Sequence, residues 1–80
     1  MVNIAQIERI KIKKLTDREL EVLQFVAEGR TNKEIAKILS ITDHTVKAHV
    51  ASILRKVGVK NRLDAALLAV VKGIVIPPQG

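Results

Sequence analysis

Cysteine, tryptophan and tyrosine are absent from the 80-residue sequence, and Phe25 is its single aromatic residue. Without cysteine the chain forms no disulfide and no thiolate metal site, which is typical of proteins in a reducing compartment. We therefore expect a cytoplasmic location. Because one aromatic side chain cannot fill a core, the core must be aliphatic, built from Ile, Leu, Val and Ala. The length allows one small domain and leaves no room for a second of ordinary size.

Long apolar runs are also absent, which excludes two classes of protein. The longest run, residues 65–71, is far shorter than the ~18 apolar residues of a membrane-spanning helix. Glu8 and Arg9 fall where a secretion signal needs its apolar stretch. We therefore expect neither a secreted protein nor a membrane partner.

The residue patterns of enzymes are missing as well. The sequence has no paired carboxylates, no nucleophile with a neighbouring base and no glycine loop that would hold a phosphate. His44 and His49 lack the i, i+4 spacing of a helical zinc pair. An enzyme is therefore the weakest interpretation, and we expect no catalytic residue, no metal and no cofactor.

Positive charge is abundant and concentrated in one part of the chain. Lys and Arg number 14 against 8 Asp and Glu, a net charge of +6. Residues 30–62 contain eight of the basic residues and only two of the acidic ones, so this segment carries the whole excess. A basic half on a small domain favours a polyanionic partner, most often nucleic acid.

Helix-start signals recur along the chain, whereas strand signals are weak. A residue suited to cap a helix precedes each segment of helical apolar periodicity: Thr16, Thr31, Thr42 and Asn61. Glu19 and Glu34 complete capping boxes with the first two. The sequence predicts an all-α fold of four helices, at about 17–28, 32–39, 43–57 and 62–72. The domain would comprise residues 15–75, between an N-terminal arm or linker (1–14) and a C-terminal tail (76–80).

The second and third predicted helices have the form of a helix-turn-helix, because a tight turn joins them and the latter helix is basic. Ile41, in that turn, is expected to pack between the two helices. The apolar residues at 46, 50, 53, 54 and 57 define the buried face of the third helix. The opposite face is then predicted to present His44, Ala48, Ala51, Ser52 and Arg55, with Lys47 and His49 on its flanks. Small residues there let the backbone approach base edges, and Lys47 is long enough to reach a base or a phosphate.

Four ordered motifs resemble the LuxR-type domain, a family also called GerE or FixJ–NarL. They are LTDRELEVL (15–23), NKEIA (32–36), TVKAHV (45–50) and KVGVKNR (56–62). The resemblance covers about residues 15–75. It implies a four-helix DNA-binding domain of a transcriptional regulator, with the third helix in the major groove and the fourth often forming a homodimer. Ala51 departs from relatives with a longer polar side chain, which leaves fewer hydrogen bonds to bases.

Carried over by position, the resemblance implies contacts with DNA at both helices of the motif. Asn32 and Lys33 would bind phosphate, where a helix N-terminus favours an anion. Lys47 and Ala48 would lie at the bases, and Ala48 and Ala51 could touch thymine methyl groups.

Lys56 and Arg62 would lie near phosphate or brace the fold, and His49 would lie near phosphate or pack against the domain. The complete predicted DNA-binding set is Asn32, Lys33, Thr42, His44, Thr45, Lys47, Ala48, His49, Ala51, Arg55, Lys56 and Arg62.

The fourth predicted helix is apolar around most of its circumference, since Asp64 is the only polar residue from 63 to 71. One face must pack on the domain, and the rest would be exposed on a monomer. We therefore predict a twofold homodimer, suited to two half-sites ~34 Å apart, through Leu63, Ala66, Leu67 and Val70. The alternative is that residues 74–76 fold back over the spare face.

The leading hypothesis is sequence-specific binding of double-stranded DNA by a transcriptional regulator. The alternative is a helix-turn-helix protein-interaction module that docks through the apolar fourth helix. A promoter-recognition module like region 4 of a sigma factor shares residues 34–36 and 45–47, but residues 56–62 and the helix after them argue against it. Other candidate partners are RNA polymerase and an N-terminal regulatory domain absent from this chain. Met1 leaves open whether the chain is a stand-alone regulator or part of a longer one.

Overall fold

The computed structural model describes residues 15–75, and these form four α-helices and no strand. The helices are α1 (Asp17–Ala27), α2 (Asn32–Leu39), α3 (Asp43–Val57) and α4 (Arg62–Val71). All four predicted helices are confirmed. The first and the last each end one residue earlier than expected, because Glu28 and Lys72 are their C-caps. The predicted arm (1–14) and tail (76–80) lie outside the described residues.

Each helix begins at a side-chain cap, as the sequence predicts: Thr16, Thr31, Thr42 and Asn61. The capping boxes of α1 and α2 are complete, with backbone-to-side-chain hydrogen bonds between 2.8 and 3.1 Å. Such caps satisfy backbone N–H groups that have no partner within the helix. The helix starts are therefore set by local chemistry.

The connection between α2 and α3 is a tight turn. Ser40 ends α2 with φ 57° and ψ 43°, in the left-handed region that reverses the chain direction. Ile41 follows, half-buried against the core, and its backbone N–H donates to the carbonyl of Ala36 at 2.9 Å. Ile41 thus packs against the core, and its predicted place between α2 and α3 stays a prediction.

The core is aliphatic, as expected from the composition. Its largest fully buried side chains come from the first three helices: Leu23, Ile35, Ile53, Val22 and Val46. Phe25 is only half-buried at its edge. Helix α3 packs against α1, α2 and α4. The remaining face of α3 is therefore left to solvent. Within residues 15–75, no helix is both long enough and apolar enough to span a membrane.

The chain after α4 returns to the core. Gly73 has φ 70°, and beyond it Ile74 is half-buried and Val75 is buried. These two residues pack on the core and do not cover the spare face of α4, which the alternative expected them to cover; residue 76 lies outside the described region. The returning segment still leaves part of α4 exposed.

Candidate nucleic-acid interface

The solvent-facing side of α3, here called the α3 outer face, consists of His44, Lys47, Ala48, Ala51 and Arg55, all exposed. In the part of the chain that the structure describes, neither Lys47 nor Arg55 makes a hydrogen bond or an ion pair. Both are therefore available to an external anion. The small side chains between them leave the helix backbone accessible. Thr45 and His49 lie at the edges of the face and are half-buried.

Ser52 does not belong to the α3 outer face, and the prediction that placed it there is wrong. It is half-buried, and its hydroxyl donates to Oε2 of Glu19 on α1 at 2.6 Å. The reason is the rotation of α3. Val46, Ile53 and Val57 are the buried residues, whereas Val50 and Leu54 are only half-buried. The buried face is thus turned toward Ser52.

Glu19 forms the centre of a polar network between α1 and α3. Its side chain is only 5% exposed, and its Oε1 accepts from Lys56 Nζ at 2.7 Å and from the backbone N–H of Thr16 at 2.9 Å. Burial alone would raise the pKa of Glu19. The hydrogen bonds from Lys56, Ser52 and Thr16 outweigh burial and lower that pKa to about 2. The carboxylate is therefore ionised at neutral pH and holds α3 against α1.

Lys56 thus has a bracing role, one of the two roles expected for it. Its ammonium group is held by the Glu19 carboxylate, while 29% of its side chain stays exposed. A contact between Lys56 and phosphate remains a prediction.

The start of α2 presents unpaired donors to solvent. The capping box uses the backbone N–H groups of Thr31 and Glu34, and the hydrogen bonds that the side chain of Glu34 accepts from Thr31 lower its pKa. The backbone N–H groups of Asn32 and Lys33 have no partner within residues 15–75, and the Lys33 side chain is exposed. Two free N–H groups, a helix dipole and a cation favour an anion at this end.

The start of α3 is built from two threonines. The backbone N–H of Thr45 donates to the Thr42 hydroxyl at 3.0 Å, and the two hydroxyl oxygens lie 2.9 Å apart. Thr42 is exposed and Thr45 half-buried. Both side chains therefore serve the helix cap, and a hydroxyl in this position also has lone pairs or a proton to offer a ligand.

Arg62 has a bracing role as well. Its guanidinium donates from Nη1 to Oδ1 of Asn32 and from Nη2 to the carbonyl oxygen of Arg30, the latter at 2.6 Å. The structure therefore brings two residues of the predicted set, Asn32 and Arg62, into direct contact although they are 30 positions apart.

The exposed side of α4 is an apolar stripe, here called the α4 stripe, formed by Leu63, Leu67 and Val71, which are 67%, 56% and 65% exposed. Ala66 and Val70, predicted to share the dimer interface, are half-buried against the core. Val71 was not predicted, although its spacing of four from Leu67 would have indicated it. The returning chain segment leaves this stripe uncovered.

Comparison with known proteins identifies the family of this fold. The family model described as "Bacterial regulatory proteins, luxR family" matches residues 13–69, most of the chain. The chain belongs to the LuxR family. A solved structure of the transcription factor GerE is similar as well, with a TM-score of 0.72 and 32% identity over 78% of this chain and 92% of that chain.

Curated relatives in the LuxR family share about half of the aligned residues with this chain. The nitrate/nitrite response regulator protein NarP of Escherichia coli (strain K12) is 48% identical over 54 residues, 68% of this chain and 25% of NarP. The transcriptional regulatory protein LiaR of Bacillus subtilis (strain 168) is 54% identical over 55 residues, 69% of this chain and 26% of LiaR. The chain thus spans about a quarter of the length of these relatives.

Membership of the LuxR family assigns the chain to DNA-binding transcription regulation, as the resemblance implied. The family consists of transcription regulators, not enzymes. In the described region, no three His, Asp or Glu side chains lie together in a way that could hold a metal ion. The all-α LuxR-type fold predicted from the four motifs is confirmed.

The buried network of this LuxR-family domain is the functional feature that the sequence reasoning missed. Glu19 was interpreted only as half of a capping box. A signal was nevertheless present, because Glu19 precedes Val22, Leu23 and Val26 by three, four and seven positions and so shares their buried face. A carboxylate on a buried face needs a partner, and Ser52 and Lys56 provide it.

Proposed function

We propose that the chain binds double-stranded DNA sequence-specifically, with the α3 outer face in the major groove and the start of α2 on backbone phosphate. The observation that carries this proposal is the α3 outer face itself. Lys47 and Arg55 are unpaired cations on a helix surface that is otherwise small and open, so the helix can approach the bases closely. The family assignment supports the same use of α3.

The proposed contacts divide into two kinds. The free N–H groups at the start of α2, together with Lys33, would bind phosphate and fix the orientation of the domain on the duplex. Lys47 would contact base edges, and Ala48 and Ala51 would contact thymine methyl groups. With few hydrogen-bonding side chains on the α3 outer face, part of the specificity would come from DNA shape.

The dimer, the polymerase and the regulatory domain are also part of the proposal. The α4 stripe would pair two copies of the chain on two half-sites. As the family resemblance implies, an N-terminal regulatory domain absent from this chain would control it, and RNA polymerase would be its target in the cytoplasm.

Selection from a randomised duplex pool tests the proposal. We expect the chain to enrich one motif, composed of two half-sites, and to bind it more tightly than unselected DNA at each of two salt concentrations. Affinity should fall with salt at a slope of about −0.9 per phosphate neutralised. Salt-sensitive binding without an enriched motif would contradict sequence-specific binding. Absence of binding would favour the protein-interaction module.

The Lys47→Ala variant should weaken binding to the selected duplex by about 1–3 kcal/mol, because it removes the longest side chain directed at the bases. Helical content should not change, since Lys47 is exposed and makes no hydrogen bond or ion pair in the described region. Fluorescence anisotropy titrations measure the effect.

Lys72→Ala is the matched control for Lys47→Ala, because it removes the same charge at the exposed C-cap of α4. It should change specific and unselected binding equally and only slightly. If Lys47→Ala behaves like Lys72→Ala, Lys47 has no part in base recognition.

A further inference from the structure

Arg62 makes an unusual set of contacts for a cation on a DNA-binding domain. It is half-buried, and both of its bonded guanidinium nitrogens donate to neutral acceptors, the amide oxygen of Asn32 and the carbonyl oxygen of Arg30. In the described part of the chain it forms no ion pair. Its planar fork therefore serves as a two-pronged clamp on the segment that leads into α2.

The clamp determines the orientation of the Asn32 amide. With Oδ1 accepting from the guanidinium, the amide NH₂ group is not used by Arg62. A flipped amide would set its NH₂ donors against the N–H donors of Arg62, and both groups would lose a hydrogen bond. Asn32 is therefore held with its NH₂ group free of the guanidinium, and that group has no hydrogen-bond partner within residues 15–75.

Three kinds of donor are thereby collected at the start of α2. The Asn32 amide NH₂ joins the unpaired backbone N–H groups of Asn32 and Lys33 and the exposed Lys33 side chain. All of them suit the oxygens of a phosphate. The orientation of the amide depends on Arg62, a residue of another helix.

We propose that Arg62 is a positioning residue for phosphate binding, which acts through Asn32 and not by touching DNA. The proposal rests on the proposed DNA binding. The guanidinium holds the Asn32 amide so that its NH₂ group meets a backbone phosphate of the duplex. Arg62 thus contributes to affinity for any sequence, since a phosphate contact carries no base information.

A double-mutant cycle tests this proposal with a short labelled duplex of mixed sequence, which needs no knowledge of the operator. We expect Arg62→Gln and Asn32→Ala each to weaken binding by about fivefold, the effect of one hydrogen bond to a phosphate. In the Asn32→Ala background, Arg62→Gln should cause little further loss, because the amide that Arg62 orients is gone and only its bond to the carbonyl of Arg30 remains. If the fold losses in affinity of the two single variants multiply in the double variant, the two residues act independently and the proposal is overturned.

The salt dependence separates positioning from direct contact. If Arg62 neutralised a phosphate, Arg62→Gln would reduce the magnitude of the salt slope by about 0.9. If Arg62 acts through the neutral amide of Asn32, the slope should stay the same while affinity falls. Arg62→Lys also separates positioning from direct contact, since lysine keeps the positive charge but lacks the planar guanidinium that donates two hydrogen bonds at once. We expect Arg62→Lys to bind as weakly as Arg62→Gln, and recovery of wild-type affinity would contradict the proposal.

Lys60→Gln is the control for charge, because it removes one cation from an exposed position two residues before Arg62. Lys60→Gln should weaken binding to the duplex only slightly, and by the same factor in the wild-type and Asn32→Ala backgrounds. Thermal unfolding of every variant verifies the fold. If Arg62→Gln does not fold, Arg62→Lys takes its place in the double-mutant cycle.

A measurement without DNA distinguishes failure of this proposal from failure of the proposed function. In the free protein, the side-chain NH₂ resonances of Asn32 should shift in Arg62→Lys and remain unchanged in Lys60→Gln. Unshifted resonances would show that Arg62 does not orient the amide. Shifted resonances in a protein that binds no duplex would instead reject DNA binding.

Discussion

Replacement of Glu19 by alanine is expected to lower the free energy of unfolding by about 3 kcal/mol. The substitution removes the acceptor of Ser52 and Lys56 and opens a gap between α1 and α3. Loss of one member of a buried pair is costly because the other is left without a partner. Here the loss is moderated, since the Lys56 side chain is 29% exposed and its ammonium group can turn to water. Urea denaturation followed by circular dichroism measures the change.

Glu34→Ala is the matched control for Glu19→Ala. Both glutamates complete a capping box, but Glu34 is exposed, and within residues 15–75 its side chain accepts hydrogen bonds from its own cap, Thr31, alone. The difference between the two variants therefore isolates the network between α1 and α3. Glu34→Ala should cause a clearly smaller loss of stability. Equal losses would mean that Glu19 contributes only a helix cap.

The same network makes stability depend on pH in the acidic range. The pKa of Glu19 is lowered from 4.5 to about 2 in the folded protein. A lowered pKa means that this stabilisation is complete above the unfolded value and is lost as the pH falls from about 5 towards 2. The loss for the wild-type chain should amount to roughly 3 kcal/mol. Glu19→Gln should lack this part of the pH dependence. If its free energy of unfolding falls with pH as in the wild-type chain, groups other than Glu19 cause the acid unfolding.

The helices of this domain could be predicted because their boundaries depend on local chemistry. A threonine or asparagine that bonds a backbone N–H three positions away is visible in the sequence alone, and each such cap is found where expected. The turn at Ile41 could be predicted for the same reason. Local signals of this kind do not depend on how the helices pack.

The contacts of Ser52 and Arg62 could not be predicted, because they depend on how whole helices rotate and pack. Ser52 lies near the border between the buried and exposed sides of α3, so a small rotation decides which way it points. Its partner Glu19 is 33 positions away, and the partner of Arg62 is 30 positions away. The family motif includes Arg62 but does not indicate whether it touches DNA or protein. The packed structure shows the bonds of Arg62 to Asn32 and Arg30, and the salt slope tests its contact with DNA.

Replacement of both Leu63 and Leu67 by glutamine is expected to weaken binding to a duplex with two half-sites by about 10- to 100-fold. The two leucines form most of the α4 stripe and are more than half exposed, so their loss should leave the fold of the monomer intact. A stripe of three aliphatic side chains is smaller than a standard interface of about 800 Å² per partner. We therefore expect weak association in solution and cooperative association on DNA.

Titration of duplexes with one and with two half-sites, taken from the selected motif, separates dimerisation from DNA contact. The double variant should bind a single half-site with wild-type affinity but bind two half-sites without cooperativity, since the α4 stripe is the predicted link between the two copies. Ile38→Gln is the matched control, because Ile38 is also an exposed aliphatic residue, 47% exposed on α2. It should retain cooperativity. If the wild-type chain binds two half-sites independently, the α4 stripe does not pair copies of this chain, and the interpretation as a docking surface for another protein becomes the stronger one.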